Sequence, residues 1–252
     1  MTKSLIFAHR GANKEAAENT RAAFDAALQY PIDGIETDVQ LSRDEVAVLW
    51  HDRFLGKLGL PTKHIDDFDY ARLQAMNFAA HFSSSAKPEG VMSLQAFLDA
   101  YRRRCRLLIE IKNRAWESSS RHEIKIRQTL AMVGAAQDDM ILVSSFNLDS
   151  LVYAHQCAPQ FPLVYNMEPE QTLDDARHVL IEQPFLQGLC LPIESLNETM
   201  ARLLREHDKR IAVYTCNSDE EIDKALDLGV DILISDVPQK ALQRRANCGL
   251  PN

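Results

Sequence analysis

No stretch of the 252-residue chain approaches the roughly twenty consecutive apolar residues that a membrane-spanning helix requires. The start, MTKSLIFAHRG, holds one Lys and a four-residue apolar run from Leu5 to Ala8, far short of a secretory signal core, so a cytoplasmic location is expected. Long basic runs and basic–aromatic interleaving are missing too. With a formal net charge of -8 the overall field repels polyanions, which argues against nucleic acid as a partner. There is no CxxC spacing. Five cysteines (Cys105, Cys157, Cys190, Cys216 and Cys248), odd in number and widely scattered, suit reduced thiols better than a disulfide framework or a zinc site. Cys190 and Cys216 fall in apolar runs and are expected in the core. Glycine, proline and aromatics are not in excess, and no internal repeat, low-complexity tract or linker divides the chain. A single domain over 1–252 is the expectation.

What is present is an ordinary globular composition, 46% hydrophobic and 25% charged, which supports a sizeable core. Eight short apolar runs recur along it: 5–9 (LIFAH), 34–39 (GIETDV), 107–112 (LLIEIK), 140–146 (MILVSSF), 162–166 (PLVYN), 188–192 (GLCLP), 210–215 (RIAVYT) and 231–236 (DILISD). Between most of them lie amphipathic segments with helix signals: Asn19-Thr20 opening 20–29, Ser218 opening 219–228, and Pro238 at a favoured first-turn position. Eight strands alternating with helices predict an α/β fold, a TIM (β/α)8 barrel, whose usual size of about 250 residues matches the chain. A ninth run, VAVLWH (46–51), follows the second strand after only LSRDE, too short for a helical crossover, and is expected to pair with it as an antiparallel hairpin arm. Residues 52–92 break the rhythm with Gly56, Gly59, Pro61, a predicted helix over 67–76 and the stretch SSSAKPEG before Ser93 caps a new helix; they read as a small lid-like insertion.

In such barrels the active site lies where the strands end, so polar residues at the carboxyl ends of the runs carry the functional signal. The first run ends in His9-Arg10-Gly11, the second carries Glu36 and Asp38, its hairpin arm ends in His51-Asp52, and the third carries Glu110 and Lys112. Glu36 and Asp38, like Glu110 and Lys112, are two apart, and strand periodicity puts each pair on one face. Three carboxylates converging on one mouth repel unless a cation neutralises them, and an all-oxygen shell suits Mg²⁺ or Ca²⁺, with Mn²⁺ as a further candidate, better than Zn²⁺. Arg10 and Lys112 add donors and positive charge for an anionic group, and together with the metal they describe a phosphate site. The two histidines titrate near neutrality, so one can take a proton from an attacking hydroxyl while the other gives one to a leaving alkoxide.

Each motif alone has a duller explanation. An acidic pair in a strand is more often salt-bridged or solvated than metal-bound, Arg10 could serve a structural ion pair, Gly11 a tight turn, and Asp52 the start of a turn. Their convergence on one barrel mouth, two of them inside apolar runs where unpaired charge is costly, weights the functional reading. The other histidines (His64, His81, His122, His155, His178, His207) fall in helices or in the insertion and are read as surface residues, with only His81 placed to approach a substrate.

In that order the segments AHRGANKEAAENTRAAFDAAL, GIETDVQLSRDEVAVLWHD, LLIEIK, VSSF, VYTCN and GVDILISDVP resemble the glycerophosphodiester phosphodiesterase family over nearly the whole chain. The resemblance implies His9 and His51 as catalytic residues, Glu36, Asp38 and Glu110 as metal ligands, and Arg10 and Lys112 as phosphate contacts. It also implies hydrolysis of a small glycerophosphodiester to sn-glycerol 3-phosphate and an alcohol such as choline, ethanolamine or glycerol. The expected route has the metal on a nonbridging phosphate oxygen and the glycerol hydroxyl attacking to form a cyclic phosphate; direct attack by water stays open. Ala17 stands where the family usually has Pro, and Glu45 where the hairpin usually has Gly. RFLGKLGL after Asp52 lacks the family's Arg-Thr element and Tyr214 replaces the usual Trp, both at the presumed alcohol pocket, where Tyr214 is read as a substrate contact. A lysophospholipase D-like phosphodiesterase and a lyase using Lys112 as a Schiff base are the rival readings, and oligomeric state is not legible.

Overall fold

Runs of Leu, Ile and Val with period-two alternation build strands here because each strand is covered on both faces, by helices outside and by a barrel interior within. The computed structural model describes residues 3–83, 86–134 and 140–248. Among these, the strands are β1 (Leu5–His9), β2 (Gly34–Leu41), β3 (Ala47–Leu49), β4 (Arg106–Ile111), β5 (Ile141–Ser145), β6 (Leu163–Asn166), β7 (Gly188–Pro192), β8 (Arg210–Tyr214) and β9 (Ile232–Ser235). They lie in the order β1-β9-β8-β7-β6-β5-β4-β2, and the β1–β2 pairing closes the ring into eight parallel strands. β3 pairs antiparallel with β2, Val39 opposite Leu49, and is the hairpin arm expected from residues 46–51.

Helices separate the strands: α1 (Arg21–Ala27), α2 (Tyr70–Gln74), α3 (Leu94–Tyr101), α4 (Ser119–Val133), α5 (Leu148–Cys157), α6 (Leu173–Glu182), α7 (Glu198–Glu206), α8 (Asp219–Asp227) and α9 (Pro238–Asn247). Thr20, Ser93 and Ser218 cap α1, α3 and α8 through their side-chain oxygens, as the sequence suggested. The helix predicted over 67–76 is shorter. A 3₁₀ turn at Ile65–Asp67 is followed by extended backbone at Phe68, and α2 starts only at Tyr70. The insertion has its own small core, in which Leu55, Ile65, Leu73, Phe78 and Val91 pack with Val48 and Trp50 of the hairpin arm. It is further pinned by a stack in which His64 lies between Phe54 and Trp116, at 4.9 and 4.1 Å between ring centroids.

The outward residues of the strands, among them Ile35, Leu107, Ile109, Val143, Leu189 and Val213, form the main core against the helices. At about 1.5–3 kcal/mol for each fully buried aliphatic side chain, this layer is the main source of stability. The inward set starts apolar, with Phe7, Leu108, Leu142, Val164, Cys190, Ala212, Ile232 and Ile234 filling the barrel. Phe7 fits because its neighbour is Gly34, where an added Cβ would sit 2.5 Å from the ring. One step further along most of the strands the inward residue turns polar, and that change of character defines the mouth.

The hairpin turn bears on the departure at Glu45. Glu45 N donates to Ser42 O at 3.0 Å, and Glu45 itself has φ +61°, the left-handed position that glycine fills in this loop type. A side chain there costs about 1–2 kcal/mol, against roughly 0.5–1 kcal/mol of extra chain entropy that glycine brings. Glu45→Gly is therefore expected to stabilise the protein by up to about 1 kcal/mol, read as a higher urea midpoint at unchanged slope. A lower midpoint would contradict this account of the turn.

Candidate active site

The mouth is built from inward side chains at successive strand ends. His9 closes β1, Glu36 and Asp38 alternate along β2, Glu110 lies on β4 with Lys112 just beyond it, Ser144 is the last residue but one of β5, and Asn166 and Tyr214 end β6 and β8. Parallel register sets them at matched heights, His9 opposite Glu36 and Asp38 opposite Glu110. His9, Arg10, Glu36, His51, Glu110 and Lys112 line a cavity of about 210 Å³ whose floor is Leu108, Cys190 and Ile234. A larger cavity of about 840 Å³ lies between the β7–β9 strand starts and α7, lined by such residues as Lys209, Arg210 and Asp231; it holds none of the site residues.

Carboxylate oxygens of Glu36, Asp38 and Glu110 lie within 4.8 Å of one another, and all three residues are buried. Their electrostatics are divided. Burial and the neighbouring Asp38 push the Glu36 carboxyl well above its ordinary range. Asp38 goes the other way: burial opposes its charge, but Lys112 and Arg10 hold it well below the usual carboxylate range. Lys112 Nζ bridges the pair, 3.0 Å from Asp38 Oδ1 and 2.5 Å from Glu110 Oε1, and these contacts raise the ammonium's pKa against the pull of burial. Neither oxygen has another hydrogen-bond partner among the described residues. A cluster of hard oxygen donors, already drawn around one positive charge, fits a divalent cation site.

Arg10 adopts φ +56° and Gly11 φ +84° as the chain leaves β1. At Gly11 an added Cβ would meet the Ala23 carbonyl carbon at 2.6 Å, so the glycine is required by close approach as well as by φ. The turn sends the Arg10 side chain across the mouth, Nε 3.2 Å from Asp38 and one terminal nitrogen 3.2 Å from Glu18.

Each imidazole is held from behind by a carboxylate. His9 Nδ1 lies 2.6 Å from Asp236 Oδ1, and His51 Nδ1 lies 3.0 Å from Asp52 Oδ1. An ionised carboxylate only accepts, so Nδ1 carries a proton in both rings, and in the neutral form of each ring the lone pair lies on Nε2. His9 Nε2 sits 3.9 Å from Glu36. Burial lowers the His9 pKa, an effect that the Asp236 hydrogen bond partly offsets. Burial opposes charge on Asp236, but His9, the Asn13 hydrogen bond at 2.6 Å and Lys14 hold it well below the usual carboxylate range, and Asn217 also donates to it at 2.9 Å. Burial likewise opposes charge on Asp52, but His51 and Lys57 pull it down to about 2.

All eight residues singled out from the sequence thus meet at one mouth. Tyr214 lines the cavity, but its hydroxyl donates to Met167 O at 2.6 Å and is committed to the protein. His81 is not among the residues lining this cavity or its neighbour. Several supporting residues were missed. Asp236 follows the last strand and was visible by the strand-end rule that found His9. Asn19, read as part of a helix start, instead takes φ +58° and donates from Nδ2 to Asp38 at 2.9 Å while Thr37 donates to its Oδ1 at 2.7 Å. Lys57, from the insertion, bridges Glu18 at 2.7 Å and Asp52 at 3.0 Å. It gives RFLGKLGL a role that the absent Arg-Thr element had left open.

Residues 9–240 match the glycerophosphoryl diester phosphodiesterase family. A glycerophosphodiester phosphodiesterase of Bacillus altitudinis is 28% identical, the alignment covering 97% of this chain and 98% of that protein. Among solved structures, a phosphodiesterase of Oleispira antarctica in complex with the product sn-glycerol-3-phosphate superposes with a TM-score of 0.85 at 24% identity, over 96% of both chains. A glycerophosphodiester phosphodiesterase of Thermotoga maritima does so at 0.77 and 21% identity, over 96% of this chain and 99% of that one.

Proposed function

The chain belongs to the glycerophosphoryl diester phosphodiesterase family and is a glycerophosphodiester phosphodiesterase; from that premise we propose that it hydrolyses small soluble glycerophosphodiesters to sn-glycerol 3-phosphate and an alcohol, with His9 and His51 exchanging the protons. The observation that carries the reading is the pairing of two imidazoles, each fixed through Nδ1 by its own carboxylate, on one cavity with three buried acids. One Nε2 accepts the proton of the attacking hydroxyl, and the other, once protonated and stabilised by the carboxylate behind it, returns a proton to the leaving alkoxide. Arg10 and Lys112 face the phosphoryl oxygens and balance their charge. A divalent cation, Mg²⁺ or Ca²⁺ with Mn²⁺ as a third candidate, held by Glu36, Asp38 and Glu110, would supply concentrated positive charge for those oxygens. The attacking hydroxyl is assigned to the substrate's glycerol, with a cyclic phosphate opened afterwards by water.

Two rival readings lose support. Lys112 is held in its charged form by Asp38 and Glu110, the wrong state for Schiff-base formation. For a lysolipid the mouth would need an apolar approach, yet the large apolar side chains left exposed among the described residues are only Phe82 and Ile181. No helix is long and apolar enough to cross a membrane.

The test is turnover of a panel of glycerophosphodiesters by chelator-stripped protein with Mg²⁺, Ca²⁺ and Mn²⁺ supplied singly. Turnover is expected only with a cation present. Full activity in chelator would remove the assigned role of the three acids, and ³¹P NMR that never shows cyclic phosphate with a slowed histidine variant would favour direct water attack.

A further inference from the structure

The phosphodiester has two arms, and the mouth has two cavities. A second cavity of about 420 Å³ shares His51, Glu110, Lys112 and Phe146 with the first and continues outward along Asn113, Arg114 and Glu168. Nearly every charge on its wall is already committed. Lys112 pairs with Asp38 and Glu110, and His51 with Asp52. Arg114 gives its guanidinium to the His51 carbonyl and to Gln40. Glu168 is the exception: it is exposed at the rim, and its carboxylate has no hydrogen bond or ion pair among the described residues.

A free anion on the accessible wall, with the wall's cations already engaged, describes a receptor for a group that is positive and carries N–H.

We propose that this outer cavity receives the alcohol arm of the substrate and that Glu168 selects alcohols bearing a primary ammonium group. The proposal rests on the reading of the site as a glycerophosphodiesterase and deepens it by naming the headgroup class. Glu168 is a specificity residue here: it touches the leaving alcohol and takes no part in proton transfer.

Substrate competition with Glu168→Gln tests it, using sn-glycero-3-phosphoethanolamine, -choline and -glycerol. Because Glu168 is exposed and the pair is solvent-screened, the expected loss in kcat/KM is about three- to fivefold for the ethanolamine diester. The choline diester, with charge but no N–H, should lose less, and the neutral glycerol diester should stay within about twofold of wild type, since no charge pair is removed there. Glu168→Lys should extend the same ranking. Equal effects on all three diesters, no effect on any, or a larger loss for choline than for ethanolamine would overturn the assignment. Wild-type protein that turns over none of the three would instead remove the underlying reading of the site, an outcome distinct from equal turnover of all.

Discussion

His51→Ala is expected to lower kcat by a factor on the order of 10² to 10⁴, with His9→Ala falling in the same range, while both proteins stay folded. The expectation of folding comes from the groups left behind. His51 is a third exposed, and its partner Asp52 keeps Lys57 at 3.0 Å when the ring is removed. His9 is more enclosed, but Asp236 retains Asn13, Asn217 and Lys14, so no carboxylate is orphaned. Neither change therefore creates the unpaired buried charge that unfolds proteins. Asp236→Asn sharpens the test. A carboxamide can present its NH₂ to Nδ1, which moves the ring proton to Nε2 and abolishes the lone pair on the substrate side. Turnover of a glycerophosphodiester, with thermal melts beside it, decides the matter. Activity within tenfold of wild type in either alanine variant would end the assignment of that histidine.

How much of this was legible beforehand follows from the kind of information each residue carries. His9, Glu36, Asp38, Glu110 and Lys112 were readable because strand periodicity converts spacing directly into facing. A polar residue two places after an inward apolar one must also point inward, as Leu108, Glu110 and Lys112 do in turn. Asp236 obeys the same rule after Ile234 and could have been found. Asn19 could not, because an Asn-Thr pair before an amphipathic segment is the ordinary mark of a helix start; only the positive φ that turns its amide onto Asp38 reveals another use. Lys57 and Glu18 were hidden for a different reason. They are 39 residues apart and meet only because the insertion folds back beside the β1–α1 loop, a tertiary outcome that no local pattern encodes. The overlong helix at 67–76 shows local propensity yielding to context, since Phe68 extends so that its carbonyl can accept from Arg43 N at 2.9 Å.

Lys112→Met should tighten cation binding while lowering turnover, an opposition that separates the two tasks assigned to this mouth. The Lys112 ammonium lies between Asp38 Oδ1 and Glu110 Oε1, where it neutralises the oxygens a divalent ion would need. A divalent ion and an ammonium about 4 Å apart repel by about 8 kcal/mol at an effective dielectric near 20, so an incoming ion must compete with this lysine and push it outward, towards the phosphate. Removing the ammonium removes the competitor. It also leaves the buried Glu110 without its counter-charge and Asp38 with Arg10 alone, so the cation-free variant should melt below wild type. In wild type, a cation at a hundred times its Kd adds about 2.7 kcal/mol, roughly 5–10 °C in melting temperature for a chain of this size. The rise in Lys112→Met should be larger, whereas Glu110→Gln should show little rise because a ligand is gone. These melts and calorimetric titrations need no substrate, so they report on the acids alone. Turnover should nonetheless fall in Lys112→Met, since the phosphoryl oxygens lose a cationic partner. If the variant bound the cation more weakly than wild type, Lys112 would have to be seen as a residue that organises the carboxylates, and its place against the phosphate would be lost.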